Sequence, residues 1–125
     1  MAHGQPYANR PYDEHPDGWA IDWMLYRHDR DPELDWQVIV WIAENTTDEW
    51  SASNLAAGPL EDLIRAYGPS FIDRIETKAR QLPRWRWLLS GVWPQGKRDS
   101  EVWKRIEVAR GGAVGSEGSD GMPAV

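Results

Sequence analysis

The chain has no cysteine, three histidines and a single phenylalanine among its 125 residues. Without cysteine it cannot form a disulfide, a thiolate metal site or a cysteine nucleophile, and it suits a reducing cytoplasm, where we expect it to act. No apolar run approaches the roughly 20 residues that cross a bilayer, so no membrane association is expected. The N-terminal residues lack the basic start and apolar stretch of a signal peptide.

Recognisable catalytic and ligand-binding motifs are also missing. There is no Gly-x-Ser-x-Gly motif, no Gly-rich phosphate loop and no paired His of a zinc helix. His3 and His15 lie in the N-terminal segment, and His28 lies in a charged connection where a solvated side chain is expected. We therefore expect no catalytic residues, no metal site and no cofactor, and an enzyme of unknown type is only the third hypothesis.

The chain has a net charge of −6, and its charged residues are distributed unevenly along the sequence. Residues 1–64 hold three Arg and thirteen acidic residues, whereas residues 65–110 hold eleven Lys and Arg and five acidic residues. One interpretation is that the two halves attract each other across the fold. The other is that they form an acidic and a basic functional face.

Helix signals recur through the middle of the chain. Asp31 followed by Pro32 is a typical N-cap and first helical residue, and the next helix is apolar nearly all round, which predicts a central, buried element. Within it, Val38 to Ile42 could be a buried strand, but the Asp-Pro start and the length favour helix. Gly58-Pro59 and Gly68-Pro69 each predict a helix end and a new start. We predict an all-α fold, a compact bundle of about six or seven short helices, which begin near Trp19, Pro32, Thr46 or Thr47, Pro59, Pro69 or Ser70, Pro83, and Asp99 or Ser100.

The two ends differ in composition from the middle. Residues 1–15 are polar, with Pro-Tyr repeated at a spacing of five, and we expect a flexible segment rather than a docking motif. Residues 111–125 hold five Gly with Ser, Glu and Asp between them, which predicts a disordered tail. The length leaves room for one core, so residues 16–110 are predicted to form a single helical domain.

Two blocks of the sequence resemble a known family. They are Ala57 to Ile64, with the sequence AGPLEDLI, and the Gly-Val-Trp of residues 91–93. Over about 34–106 the chain resembles a bacterial all-helical domain family of unknown function. The resemblance implies a compact bundle of short helices and no activity or site residue. Glu61 and Asp62 also have a physical interpretation, because a first helical turn favours acidic side chains.

Acidic residues and tryptophans support the first hypothesis, a small protein-binding module. Acidic residues cluster in the first two helices, as in immunity proteins and phage inhibitors that imitate nucleic acid phosphates and occupy a basic groove of their target. An ordinary solvated face is the alternative. Nine Trp suggest half-exposed anchors, among which Trp36, Trp50 and Trp87 are favoured. The predicted protein-binding residues of this inhibitor or accessory factor are Asp22, Asp29, Asp31, Glu33, Asp35, Trp36 and Trp50.

A basic and aromatic segment supports the second hypothesis, a nucleic-acid-associated helper. Trp87 follows Arg84 and Arg86 in the sequence RWRWLL, which suits stacking on a base with phosphate contacts. The alternative is that Trp87 packs inside the fold under Arg stems, and the acidic net charge argues against strong non-specific binding. The candidate nucleic-acid or anion-binding residues are Arg84, Arg86, Trp87, Lys104 and Arg105.

Overall fold

A computed structural model describes residues 18–26, 31–94, 96, 98–111 and 121–125. Every regular element in those residues is a helix, which confirms the predicted all-α class. The elements are α1 (Gly18–Tyr26), α2 (Pro32–Asn45), α3 (Glu49–Leu55), a π-helical turn (Ala56–Leu60), α4 (Glu61–Gln81), α5 (Pro83–Leu89) and α6 (Glu101–Ala109). The predicted flexible segment 1–15 and the candidate residue Asp29 lie outside the described residues.

The middle of the chain is more continuous than the sequence predicts. α3, the π-helical turn and α4 follow one another directly, so the described residues form five continuous helical stretches rather than six or seven. Pro59 lies inside the π-helical turn, whose wider backbone accepts a ring that an α-helix interior rejects. At the second predicted break, Tyr67 leaves helical geometry (φ −136°, ψ 22°), and α4 is kinked there instead of ending.

Side-chain caps fix where three of the helices begin. Asp31 accepts a hydrogen bond from Leu34 N at the start of α2, and Ser100 accepts one from Trp103 N at the start of α6. Asp31 is the predicted cap, and Ser100 is one of the two residues predicted to start the last helix. α3 differs, because Asp48 caps it instead of a threonine. These starts determine which side chains of α2 and α6 face the core.

The centre of the core is aromatic. Trp85 of α5 is fully buried, and its ring centroid lies 5.5 Å from that of Trp36 on α2. Trp36 in turn packs on Phe71 of α4, at 5.7 Å between ring centroids. Both pairs are tilted, an arrangement that aromatic side chains favour. A helix as short as α5 is marginal alone, so this burial is what stabilises it.

A glycine lets α6 lie close against α4. A Cβ atom at Gly68 would be 2.8 Å from Val102 Cγ1, which is closer than side-chain atoms approach. Val102 is β-branched and has little rotational freedom to move away. The absence of a side chain at Gly68 therefore sets the distance between the kink of α4 and the first turn of α6.

Most of the predicted disordered tail, residues 112–120, lies outside the described residues, and the last five residues of the chain lie against the helices. Arg84 Nε donates a hydrogen bond to the Pro123 carbonyl oxygen at 2.8 Å. Met122 packs against the core, and Gly121 adopts φ +109°, which favours glycine. Residues 121–125 are thus attached to the domain through α5.

Candidate functional site

Three tryptophans on α1 and α2 are exposed to solvent. Trp19 has 73% of its surface exposed, Trp41 has 60% and Trp23 has 40%. Trp19 and Trp41 line the same open groove, and apolar surface of this kind marks interaction sites. We call it the tryptophan groove, and its lining residues are Trp19, Ala20, Leu34, Gln37, Val38, Trp41 and Ile42.

The groove exists because α2 has two apolar stripes and only one is covered. Trp36, Ile39 and Ala43 form the buried stripe that faces the core. Leu34 and Trp41, seven residues apart, belong to the second stripe, and both are exposed. The prediction that α2 is buried nearly all round is therefore wrong, since a domain of this size has too few neighbouring elements to cover both stripes.

The predicted acidic residues have different environments. Asp31 is exposed and caps α2, Asp22 is half-buried, and Asp35 is buried. Glu33 is exposed and forms an ion pair with Arg74 of α4, with 2.8 Å between Oε2 and Nη2. The structure therefore does not bring these residues together as one continuous solvated patch.

Ion pairs join the acidic and basic halves of the chain. Besides the pair of Glu33 with Arg74, Glu44 Oε2 lies 2.6 Å from Lys78 Nζ. These contacts agree with the interpretation in which the two halves attract each other across the fold. All the charged residues described in α1 and α2 are nevertheless acidic, so the helices that form the tryptophan groove carry an excess of negative charge.

The tryptophans favoured as anchors are not the exposed ones. Trp36 and Trp87 are buried, and Trp50 is half-buried. The expectation of half-exposed anchors is therefore wrong for Trp36 and Trp87. Trp19 and Trp41 are more than half exposed, and sequence reasoning did not favour them. The sequence signal that could have identified Trp41 was the second apolar stripe of α2, because a helix that buries one face needs only a single stripe.

The candidate basic segment does not form a continuous surface. Arg84 is buried and donates hydrogen bonds to the carbonyl oxygens of Ala43, Thr46 and Pro123. Arg86 donates to the Ala79 carbonyl oxygen. Together with the burial of Trp87, these contacts favour the alternative in which this segment packs inside the fold.

Arg105, another candidate for anion binding, is held by acidic side chains of α4. Its Nε donates to Glu76 Oε2 at 2.8 Å, and its Nη2 lies 2.6 Å from both Glu76 Oε1 and Asp73 Oδ1. The hydrogen bonds from Arg105 lower the pKa of Glu76, while partial burial acts in the opposite direction. Of the five candidates, Lys104 is the exposed one.

We expect Arg105→Gln to reduce the acid sensitivity of the fold. Because the pKa of Glu76 is lowered in the folded state, its contribution to stability is present above the ordinary value of 4.5 and is lost as the pH falls through the lowered value. In the variant, the pKa of Glu76 should lie nearer to its ordinary value. The free energy of unfolding, measured with urea, should therefore change less with pH under acidic conditions. A carboxyl-carbon NMR titration measures the pKa. Lys104→Gln is the matched control, and an unchanged pKa in Arg105→Gln would contradict the assignment.

The described acidic side chains do not form a metal-binding cluster of three or more, and His3, His15 and His28 lie outside the described residues. Over the same ranges, no helix combines the length and apolar character that crossing a membrane requires. Several of the described acidic side chains take part in helix caps and ion pairs.

The two sequence blocks that carry the family resemblance meet in space. Glu61, in the first turn of α4, is buried, and its Oε1 accepts a hydrogen bond from Trp93 N at 2.8 Å. A Cβ atom at Gly91 would lie 3.5 Å from Ala56 Cβ, so the turn after α5 packs on the π-helical turn. The helix-dipole interpretation of Glu61 loses its basis, because the backbone is already helical before α4 and its amide is hydrogen-bonded. Its carboxylate instead positions the segment that follows α5.

A family model described as a family of unknown function (DUF6869) matches residues 8–114. The chain belongs to this family. The DUF6869 match spans all the described helices, from α1 to α6, and includes both blocks that meet at Glu61. Searches of curated proteins and of solved structures found no match.

Proposed function

We propose that this DUF6869 protein is a small binding module that docks a basic segment of a partner protein in the tryptophan groove, as an inhibitor or accessory factor. One observation carries the proposal: two exposed indole rings line one groove on helices whose described charged residues are all acidic. We also propose that it acts in the cytoplasm, which suits a chain without cysteine.

The exposed rings supply the affinity in this proposal. Burying apolar surface stabilises a complex by about 25 cal/mol per Å², and a tryptophan carries roughly 150–250 Å². Trp19 and Trp41 expose more than half of their surfaces, so covering them yields several kcal/mol before the cost of association, by the same rough conversion. Tryptophan is also enriched among the few residues that dominate binding energy.

The charge around the groove selects the partner. α1 and α2 contribute Asp22, Glu33, Asp35 and Glu44 in their described residues, without a Lys or Arg. Glu33 and Glu44 are paired with Arg74 and Lys78 of α4 and Asp35 is buried, so the net negative charge on this side of the fold is smaller than four. A partner segment with Lys or Arg beside its apolar side chains is complementary to this surface, whereas an acidic segment is repelled. Part of the affinity should therefore be electrostatic and should fall as salt rises.

The test begins with capture from nuclease-treated lysate of the native host, using the full tagged chain. Three baits are compared by quantitative mass spectrometry: wild type, the double variant Trp19→Ser with Trp41→Ser, and Val108→Ser. Val108 is an exposed apolar residue of α6 and controls for loss of surface hydrophobicity. Cross-linking of the captured protein then identifies the segment that contacts α1 and α2.

The expected result is a partner that wild type and Val108→Ser retain and the double variant loses, with cross-links in a Lys- or Arg-rich segment. With the purified partner, Trp41→Ala should weaken binding by about tenfold or more. Retention by the double variant, an acidic contact segment, or no captured protein would overturn the proposal. A dimer that the double variant abolishes would also overturn it and would make the groove a self-association surface.

A further inference from the structure

The tryptophan groove lies between two helices that rest on the same neighbouring elements. α1 packs on the π-helical turn and on α3, and α2 packs on α3, α4 and α5. The lining of the groove combines Trp19 and Ala20 of α1 with side chains of α2 from Leu34 to Ile42. Side chains of two neighbouring helices form the kind of surface on which a third helix packs.

The exposed apolar side chains of both helices follow helical spacing. On α1, Trp19 and Trp23 are four residues apart, and both are exposed. On α2, Leu34, Val38 and Trp41 are spaced by four and then three residues. Leu34 and Trp41 are exposed, and Val38 between them is half-buried. Each helix therefore presents an apolar ridge, and such ridges interdigitate with the side chains of a packed helix.

The backbone around the groove offers no hydrogen bonds to an extended segment. The groove is lined by helices, and the described residues contain no strand whose edge could accept another strand. An extended segment laid on these rings would bury amide groups without partners, which is unfavourable. A helix satisfies its backbone internally and presents only side chains to the groove.

The amount of exposed apolar surface matches one short helix. Trp19, Trp23 and Trp41 together expose roughly 300–400 Å², given the roughly 150–250 Å² that each such side chain carries. A stable interface between two folded proteins buries about 800 Å² on each side. Leu34 and Trp41 are about 10 Å apart along the axis of α2, which corresponds to about two helical turns. The ridges thus suit a short helical segment better than a second copy of the domain.

We propose that the partner segment docks in the tryptophan groove as an amphipathic helix of about two or three turns, an inference that rests on the function proposed above. Its apolar residues recur at positions i, i+3 or i+4, and i+7, and they pack between the ridges of α1 and α2. Lys or Arg on its flanks is favoured by the acidic residues of α1 and α2. The ion pairs of Glu33 and Glu44 with α4 limit this electrostatic contribution, so the apolar face supplies most of the affinity.

A synthetic peptide of about 14 residues is the probe, with Leu at helical spacing, Lys on both flanks and Ala elsewhere. One control contains the same residues reordered so that Leu and Lys alternate. The other keeps Leu and Lys but replaces Ala with Pro, which favours a polyproline II segment. Each peptide is titrated into the full-length protein labelled with ¹⁵N, and the indole N–H resonances are followed by NMR. Trp19→Phe and Trp41→Phe each remove one resonance and so assign it.

The helical peptide is expected to shift the Trp19 and Trp41 resonances in a saturable manner and to bind about tenfold or more tightly than either control. The double variant Trp19→Ser with Trp41→Ser should bind it about tenfold more weakly. Val108→Ser is the matched control for loss of exposed apolar surface and should bind the peptide as wild type does.

A lactam bridge on the polar face of the peptide gives a second test, because it fixes the helix without touching the apolar residues. If the bound peptide is helical, the bridged form should bind about three- to tenfold more tightly than the unbridged form, since less conformational entropy is lost on binding. If the bound peptide is extended, the same bridge should weaken binding.

Three results would overturn the helical mode. One is the absence of a saturable shift of the Trp19 and Trp41 resonances with the helical peptide. Another is equal or tighter binding of the alternating or the proline-rich peptide. The third is weaker binding of the bridged peptide than of the unbridged one.

This inference and the proposed function can fail separately. A captured partner that needs Trp19 and Trp41 but contacts them through an extended or polyproline II segment supports the proposed function and overturns the helical mode. Tight binding of the helical peptide at these residues, with no partner captured from lysate, overturns the proposed function and supports the preference of the groove for a helix.

Discussion

Replacing Trp85 with Ala is expected to lower the free energy of unfolding by about 3–5 kcal/mol. A domain of this size has a total stability of about 5–15 kcal/mol, so this single change removes a large part of it. The midpoint of thermal unfolding should fall by about 12 °C or more. Urea unfolding followed by far-UV circular dichroism measures the loss.

The size of this effect follows from the position of Trp85. Its side chain is fully buried and packs on Trp36, which packs on Phe71, so its removal leaves the aromatic centre of the core with a cavity. Its indole Nε1 donates to Glu44 Oε2 at 2.9 Å. The same oxygen lies 2.6 Å from Lys78 Nζ, and the three side chains connect α2, α4 and α5.

Two control variants separate packing from hydrogen bonding. Trp85→Phe keeps a ring but removes the N–H, so its cost should be smaller, at about 1–2 kcal/mol. Trp41→Ala removes an exposed ring and should stay within about 0.5 kcal/mol of wild type. Equal losses for Trp85→Ala and Trp41→Ala would contradict the placement of Trp85 at the centre of the core.

Features that depend on neighbouring residues were predictable from the sequence. Asp31 and Ser100 cap their helices through bonds to residues three positions later, so the sequence pattern contains both partners. Trp85, Leu88 and Leu89 are spaced three and four residues apart, which places them on one face of a helix, and all three are fully buried. The start of α5 at Pro83 was predictable for the same reason, because proline favours the first position of a helix.

Features that depend on distant residues were not predictable. Glycine and proline at positions 58 and 59 indicate a helix boundary, yet the backbone continues through a π-helical turn that packs against the segment after α5. The apolar pattern of α2 shows two stripes, but only the arrangement of α4 and α5 decides that Trp36 is covered and Trp41 is not. The candidate site was missed for this reason, since exposure is a property of the packed fold.

Arg84 is the clearest case in which a residue chosen for ligand binding has a structural role. Its Nη1 donates to Thr46 O at 2.7 Å and to Ala43 O at 3.2 Å, and its Nε donates to Pro123 O at 2.8 Å. α2 has no basic residue in its last turn, so Arg84 supplies the positive charge that a helix C-terminus favours. Burial lowers the pKa of Arg84, but an arginine remains protonated at neutral pH.

We expect Arg84→Met to lower the free energy of unfolding by about 2–4 kcal/mol, because three carbonyl oxygens lose their donor while the apolar stem is kept. Arg84→Lys keeps the charge but lacks the planar fork, so its loss should be intermediate. Arg80→Met is the matched control, since Arg80 is exposed on α4, and it should change stability by about 0.5 kcal/mol or less.

A truncated chain that ends at residue 120 isolates the contact with Pro123. If Arg84 holds residues 121–125 against α5, then Arg84→Met should cost about 1–2 kcal/mol less in the truncated chain than in the full one, since one of the three bonds is already gone. Amide exchange at Met122 should also become faster in full-length Arg84→Met. Equal costs in the two chains, with unchanged exchange, would show that Arg84 stabilises only the end of α2 and that the last five residues are attached by other contacts.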